Sequence, residues 1–235
     1  MWIPVGILDS NGTLDGVSFT EKFGRRNYRN NEASKRDYWK NEVSKDEYSD
    51  DEFALQIESV KKYGGFYISR YNISLSLIGR PQSVKWAMPC AKINFFDAHR
   101  LALNIEDSEA VKSHLTFGAE YDSVLEWFIK TNARTRSEIE EDSSNWGKYG
   151  NHARRVSKEG RVSITGSKKA WCTNNIYDFA GNVGEWTQEY DEHTFAARGG
   201  SYYVYGDCYP AARRWYMLPE VNYFITGFRA TLYIK

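Results

Sequence analysis

The chain lacks most of what would announce a chemistry. It has three cysteines in 235 residues, Cys90, Cys172 and Cys208. They are too few and too scattered for a disulfide scaffold, and an odd count leaves at least one thiol free within a monomer. No CxxC pair or zinc knuckle occurs. Histidine is also sparse. His99, His114, His152 and His193 are spread without metal-site spacing, so each reads as a surface or hydrogen-bonding residue. GxSxG, P-loop and HExxH patterns are absent. There is no excess of either charge: 31 Lys and Arg balance 31 Asp and Glu, which removes the basic footprint of a nucleic-acid binder. The Lys/Arg-rich stretch 22–45 and its flank mix in Glu21, Glu32, Asp37 and Glu42, the pattern of a solvated loop. No apolar run approaches membrane-spanning length, so no membrane insertion is expected. The opening Met-Trp-Ile-Pro-Val-Gly has no basic start and is interrupted by Pro4, unlike a signal peptide. That argues against ordinary secretion.

What the chain does have is aromatic side chains, at 16%, and many of them fall in the stretch 198–234. It opens on Arg198-Gly199-Gly200-Ser201 and closes on Gly227-Phe228-Arg229. Between lie Tyr202, Tyr203, Tyr205, Tyr209, Trp215, Tyr216, Tyr223 and Phe224. Neither a helical nor a strand period runs through this segment, so it reads as irregular backbone between two ordered ends. Long irregular loops are uncommon and usually functional. Tyr and Trp offer much contact area for little rotamer entropy, which suits a binding surface. The competing reading is that these rings are core. The same run carries Asp207, Arg213, Arg214 and Glu220, which a core tolerates poorly. Arg213 or Arg214 has an internal alternative, holding a carboxylate such as Asp178 inside the fold.

At this length the chain suits one large domain or two small ones. Trp2–Val5 reads as a strand, and 18–51 as a long polar surface excursion. Asp50 or Asp51 caps a helix over 52–63, stopped by Gly64-Gly65. Phe66–Tyr71 is a strand rich in β-formers, and 75–89 is a loop or hairpin. Asn94 caps a helix over 95–105. A third helix opens at Thr116 or Gly118, with Tyr121, Val124, Leu125 and Phe128 at amphipathic spacing. The span 132–173 reads as mostly loop. A turn at Gly181-Asn182 leads into a strand through Trp186, followed by strands over 194–200 and 228–234. Helices between short strands, without βα alternation, argue an α+β fold.

Three stretches together resemble the formylglycine-generating enzyme family, also called sulfatase-modifying-factor domains. They are Trp2-Ile3-Pro4-Val5-Gly6; Leu115-Thr116-Phe117-Gly118-Ala119-Glu120-Tyr121; and 176–186 with Arg198–Ser201 and Gly227-Phe228-Arg229. The resemblance covers nearly the whole chain. It implies a single domain over 1–235 with a C-type-lectin-like fold of the formylglycine-generating-enzyme type. That fold has short antiparallel strands, about three helices and long loops, and 198–235 would carry the binding loop. In the family the region around Gly181 helps carry structural calcium, which makes Asn182 and Glu185 the metal candidates here, although Gly184 replaces the usual aromatic. No other cofactor is expected. The family's copper enzymes use two cysteines after RGGS. This chain has Val204 at the first position, and Cys208 falls one residue early for the second. One thiol cannot make a two-thiolate Cu(I) site. The related iron-dependent sulfoxide synthases need a compact His-x₃-His-x-Glu set, which is missing.

The stretches Gly65–Tyr71, His114–Asp122 and Gly227–Lys235 resemble bacterial and prophage members of the family. Some of those are variable proteins of diversity-generating retroelements, which mutate mainly Asn AAC codons. Tyr203, Val204, Tyr205, Asp207, Cys208, Tyr209, Arg213, Tyr216, Asn222 and Tyr223 are admissible products of that codon, and they form the expected ligand-binding set. Trp215, Met217 and Glu220 are not admissible products and would be fixed scaffold. The resemblance implies a non-catalytic ligand-binding domain on a phage virion or bacterial cell surface. Its partner would be a host-cell or cell-surface protein or glycan, and the oligomeric state is left open. The alternatives are a copper oxidase acting on a peptide cysteine, with Cys208 as its redox thiol, and a structural module of a virion or surface.

Overall fold

The computed structural model describes residues 1–11, 13–14, 17–26, 46–150 and 161–235. In chain order the elements are β1 (Trp2–Pro4), β2 (Thr13–Leu14), β3 (Val17–Ser18), α1 (Phe19–Phe23), β4 (Asp46–Glu47), α2 (Asp50–Tyr63), β5 (Gly65–Ile68), β6 (Ser74–Leu75), β7 (Pro81–Gln82), α3 (Phe95–Leu103), β8 (Val111–Leu115), α4 (Gly118–Lys130), α5 (Arg136–Glu140), β9 (Cys172–Thr173), β10 (Ile176–Tyr177), β11 (Gly184–Asp191), β12 (Thr194–Arg198), β13 (Arg214–Met217), β14 (Thr226–Phe228) and β15 (Ala230–Ile234). The fold is α+β, with five helices among the described residues and several short, mostly antiparallel sheets.

Two sheets organise it. The first has the order β1-β5-β15-β8, so the chain's first and last strands share one antiparallel sheet. The second runs β13-β12-β11-β14, with β4 paired to the far end of β11. Its β11–β14 pairing is parallel, an exception to the expected antiparallel pattern. One buried cluster lies between α2, α4 and the first sheet, with Ile3, Val60, Phe66, Tyr121, Val124, Leu125 and Phe128. The other joins α3 to the second sheet through Phe95, Ala98, Trp186, Phe195, Trp215 and Phe228.

The helix ends follow local chemistry. Ser49, rather than Asp50 or Asp51, caps α2, its hydroxyl accepting from the Glu52 N–H. Three acids fill the first turn and two lysines the last, complementing the helix dipole. Gly64 ends α2 at φ +80°, its N–H bonding the Val60 carbonyl, a backbone state that glycine adopts without strain. Asn94 caps α3, which stops at Leu103 rather than 105. At the start of α4 stands Phe117, which has no capping oxygen. The exposed donors are taken instead by carboxylates: Glu120 Oε2 accepts the Phe117 N–H at 2.8 Å, and Glu47 Oε1 accepts the Gly118 N–H at 3.1 Å.

Several expectations need correcting. The excursion 18–51 contains α1, whose Phe23 is buried against Phe53 and Phe66; residues 27–45 lie outside the described ones. The strand at 66–71 is β5, ending at Ile68, and 132–173 contains α5. The aromatic stretch is not irregular throughout, because β13 runs through it as an edge strand against β12. Its alternation is real. Arg214 and Tyr216 turn to Glu189 on one face, while Trp215 and Met217 pack into the second cluster. An arginine on an internal face hides that period from a hydrophobicity reading.

Candidate functional site

Two loops flank β13, and both are tied down from below. In the first, residues 199–213, the Gly150 N–H donates to the Val204 carbonyl (2.8 Å), Ser143 N–H to Gly206 (3.1 Å), Tyr202 N–H to Asn182 (2.9 Å) and Ala212 N–H to Ile139 (3.0 Å). In the second, 218–225, the Pro219 carbonyl accepts from Phe95 and the Ile225 carbonyl from Gly184. With the backbone anchored, some side chains are left outward. Tyr203 is 63% exposed, Phe224 50%, Leu218 50% and Val221 40%. Tyr203 and Phe224 meet edge to face, with ring centroids 5.1 Å apart and planes at 87°. Tyr203 and Phe224 thus join the two loops at the surface, and Leu218 and Val221 are exposed on the second loop.

The expected ligand-binding residues divide across this surface. Asn222 and Cys208 are exposed, as is Tyr203; Val204, Tyr205, Asp207, Tyr209, Arg213 and Tyr223 are half-buried. Tyr209 packs on Trp215 (5.3 Å), and the Arg213 guanidinium lies over the Tyr209 ring at 5.7 Å. Burial lowers the Arg213 pKa. Tyr216 is buried, and its hydroxyl donates to Glu189 Oε1 at 2.9 Å, so it supports the surface from inside. Phe224 belongs to the aromatic stretch read from the sequence as a binding surface; Leu218 and Val221 were not singled out there.

On the face of β13 opposite Trp215 and Met217 lies a buried ion network that the sequence did not reveal. Asp122 of α4 accepts from Arg198 Nη2 at 2.6 Å, Arg214 Nη2 at 2.7 Å and the Arg26 N–H at 2.7 Å. Glu189 of β11 accepts from Arg214 Nε at 2.6 Å and Arg198 Nη1 at 3.5 Å. Arg198 also lies 4.5 Å over the Tyr121 ring. Burial raises the Asp122 carboxyl, but Arg198 and Arg214 outweigh it and hold the pKa below its ordinary value. Arg214 thus does serve inside the fold, but for Asp122 and Glu189 and not for Asp178. The latter accepts instead from the Thr165 hydroxyl (2.7 Å) and the Gly166 N–H (2.8 Å). Glu47 borders the network through Arg25 Nε at 3.4 Å, and burial pushes its pKa up to about 8, with Arg25 pulling the other way.

Asn182 and Glu185 occupy the tight turn and strand expected of them. Gly181 (φ +72°) is required, since a Cβ there would sit 2.3 Å from the Lys148 carbonyl oxygen. Asn182 Oδ1 accepts the Ser163 N–H at 2.8 Å. Glu185 accepts from Arg229 Nη2 (2.8 Å), Arg229 Nε (3.1 Å) and Asn72 Nδ2 (2.7 Å). Calcium takes about six to eight oxygen ligands. The oxygens these residues could offer are already hydrogen-bonded, and among the described residues no three His, Cys, Asp or Glu side chains converge. As folded, the donor set does not fit calcium.

Nucleophilic chemistry finds little support in the described groups. Cys208 is a free, exposed thiol; burial and the neighbouring Asp207 push its pKa up, away from the reactive thiolate. His114 is fully buried on the first sheet, with Nε2 3.0 Å from Glu120 Oε1 and 2.6 Å from the Thr231 hydroxyl. His99 Nε2 lies 3.5 Å from Glu52, His193 is exposed, and His152 lies outside the described residues.

No family model and no curated protein matches the chain. Among solved structures it is similar to CarF (17% identity, 82% of this chain and 85% of that one, TM-score 0.49). It is also similar to Treponema denticola variable protein 1 (20%, 87% and 75%, TM-score 0.38) and to PvdO from Pseudomonas aeruginosa (16%, 72% and 81%, TM-score 0.48). At these values no function passes from any of them to this chain.

Proposed function

We propose that the chain is a non-catalytic ligand-binding domain of the formylglycine-generating-enzyme type of C-type-lectin-like fold. The strip formed by Tyr203, Leu218, Val221 and Phe224, with Asn222 and the half-buried Tyr205, Asp207, Tyr209, Arg213 and Tyr223 around it, is its recognition surface. The observation that carries this reading is the coupling of outward rings to an anchored backbone. Binding residues that start ordered lose less entropy on contact. Exposed aromatics supply the anchors, and Asp207 and Arg213 give direction. Display on a phage particle or bacterial surface, and a protein or glycan of another cell as partner, belong to the same proposal.

The test is binding of labelled protein to a panel of bacterial cells, comparing wild type with Tyr203→Ala/Phe224→Ala. The double variant should keep its melting temperature and lose at least about 2 kcal/mol of binding, the scale of a hot spot. Undiminished binding by the folded variant would refute the site. A copper titration with a cysteine-peptide oxidation assay addresses the oxidase alternative; turnover that disappears in Cys208→Ser would favour it.

A further inference from the structure

A second set of exposed side chains lies on the β6–β7 hairpin and the segment that follows. Leu77, at 108% relative exposure, and Ile78, at 76%, form the hairpin tip. The tip is not loose. Ser76 N–H bonds the Arg80 carbonyl at 2.8 Å, Gly79 N–H bonds Ser76 at 2.9 Å, and Arg80 N–H bonds the Ser76 hydroxyl at 3.0 Å. Behind it stand Trp86, 61% exposed, and Met88, 54% exposed. Trp86 is held at φ +67°, a backbone state that a bulky side chain adopts at a cost and that tends to persist at functional positions. Its N–H bonds the Thr165 carbonyl at 3.0 Å, and Lys85 Nζ lies 4.8 Å from its ring.

The charge of this region is one-sided. Residues 70–96, which include the hairpin, contain Arg70, Arg80, Lys85 and Lys92 and no Asp or Glu, in a chain whose net charge is +0. Residues 161–177, which bond back to it through Thr165, also contain no acidic side chain.

We infer that the β6–β7 tip docks the protein peripherally on an anionic lipid bilayer, with Leu77 and Ile78 entering the headgroup region and Arg80 and Lys85 facing lipid phosphates. A convex two-residue tip gives a protein partner far less than the roughly 800 Å² per side of a stable interface. A soft bilayer accepts such a wedge. Apolar side chains that penetrate beside Lys and Arg are the elements of interfacial binding, and tryptophan favours that depth. Single-stranded nucleic acid fits less well, because Trp86 offers one exposed ring while Leu77, Ile78 and Met88 offer none for successive bases to stack on. This is a surface contact and not a span: among the described residues no helix is long and apolar enough to cross a membrane.

The experiment is co-sedimentation of the full chain with phosphatidylcholine vesicles and with vesicles in which phosphatidylglycerol replaces part of the phosphatidylcholine. Binding is expected only to the anionic vesicles and should weaken with salt. It should drop at least about tenfold in Leu77→Ser/Ile78→Ser and in Arg80→Ala/Lys85→Ala. Brominated lipid should quench wild-type fluorescence by an amount that Trp86→Phe removes, a readout independent of the tip variants. The inference is overturned by no binding to anionic vesicles, by equal binding to neutral ones, by unchanged binding of Leu77→Ser/Ile78→Ser, or by capture of a single-stranded oligonucleotide in preference to vesicles. Because the tip variants change none of Tyr203, Leu218, Val221 or Phe224, failure here leaves the proposed recognition site standing, and the reverse.

Discussion

Arg198 has a fully buried guanidinium, and it bridges two carboxylates on different elements, Asp122 and Glu189. A buried ion network is weak evidence of net stability, but removing one member strands the others in a medium that solvates them poorly. Arg198→Met is therefore expected to destabilise the fold by about 3–5 kcal/mol, measured by urea denaturation. A loss under about 1 kcal/mol, the scale of a surface pair, would mean the network is not dry. Glu47 gives a prediction of opposite character. Its folded pKa is raised to about 8, above the unfolded value of about 4.3. Its contribution to stability is therefore full below that unfolded value and is lost as pH rises through about 8. Glu47→Gln keeps an acceptor for the Gly118 N–H and cannot ionise. It should match wild type at low pH and exceed it by roughly 3–5 kcal/mol above the folded pKa, as read from melting curves across the range. Parallel curves for the two proteins would contradict the assignment.

Short elements do much of the positioning. The five-residue α5 is closed by a reciprocal cap: the Glu138 carboxylate accepts the Thr135 N–H at 2.8 Å, and the Thr135 hydroxyl accepts the Glu138 N–H at 3.2 Å. The Glu138 carbonyl takes the Ser143 hydroxyl and the Trp146 indole N–H, and Ile139 takes the Ala212 N–H. The helix is thus a buttress under the loop 199–213. Thr135→Ala should cost about 1 kcal/mol and speed hydrogen exchange at Ser143, Ala211 and Ala212, whose N–H groups bond Gly206, Ser143 and Ile139; unchanged exchange there would separate α5 from the loop. The pattern Thr135-x-x-Glu138 ahead of Ile139 was present in the sequence, but five residues bury too little to make a periodic signal. Helices α2, α3 and α4 were legible, because each repeats its apolar face over two turns or more, and α2 also stops at Gly64. Strand β13 was not, since Arg214 occupies an inward position and its carboxylate partners lie 92 and 25 residues away. The exposure of Leu218, Val221 and Phe224 was equally hidden: only the packing of 218–225 onto α3 and β11 decides which of its apolar side chains face out.

Across the whole molecule, β1 and β15 join the chain's two ends in one sheet. The ion network locks α4 to the second sheet, and the aromatic strip stands on that second sheet. We propose that this strip grips a partner and does no bond chemistry, with the frame fixed before contact. The most direct measurement is surface plasmon resonance of wild type and Tyr203→Ala/Phe224→Ala against membranes of a cell type that the wild type binds. The account predicts a dissociation constant at least about thirtyfold weaker for the double variant, with the same melting temperature and the same hydrogen-exchange protection in β12 and β13. Equal affinity in the two proteins, or a loss of affinity that only accompanies unfolding, would contradict it.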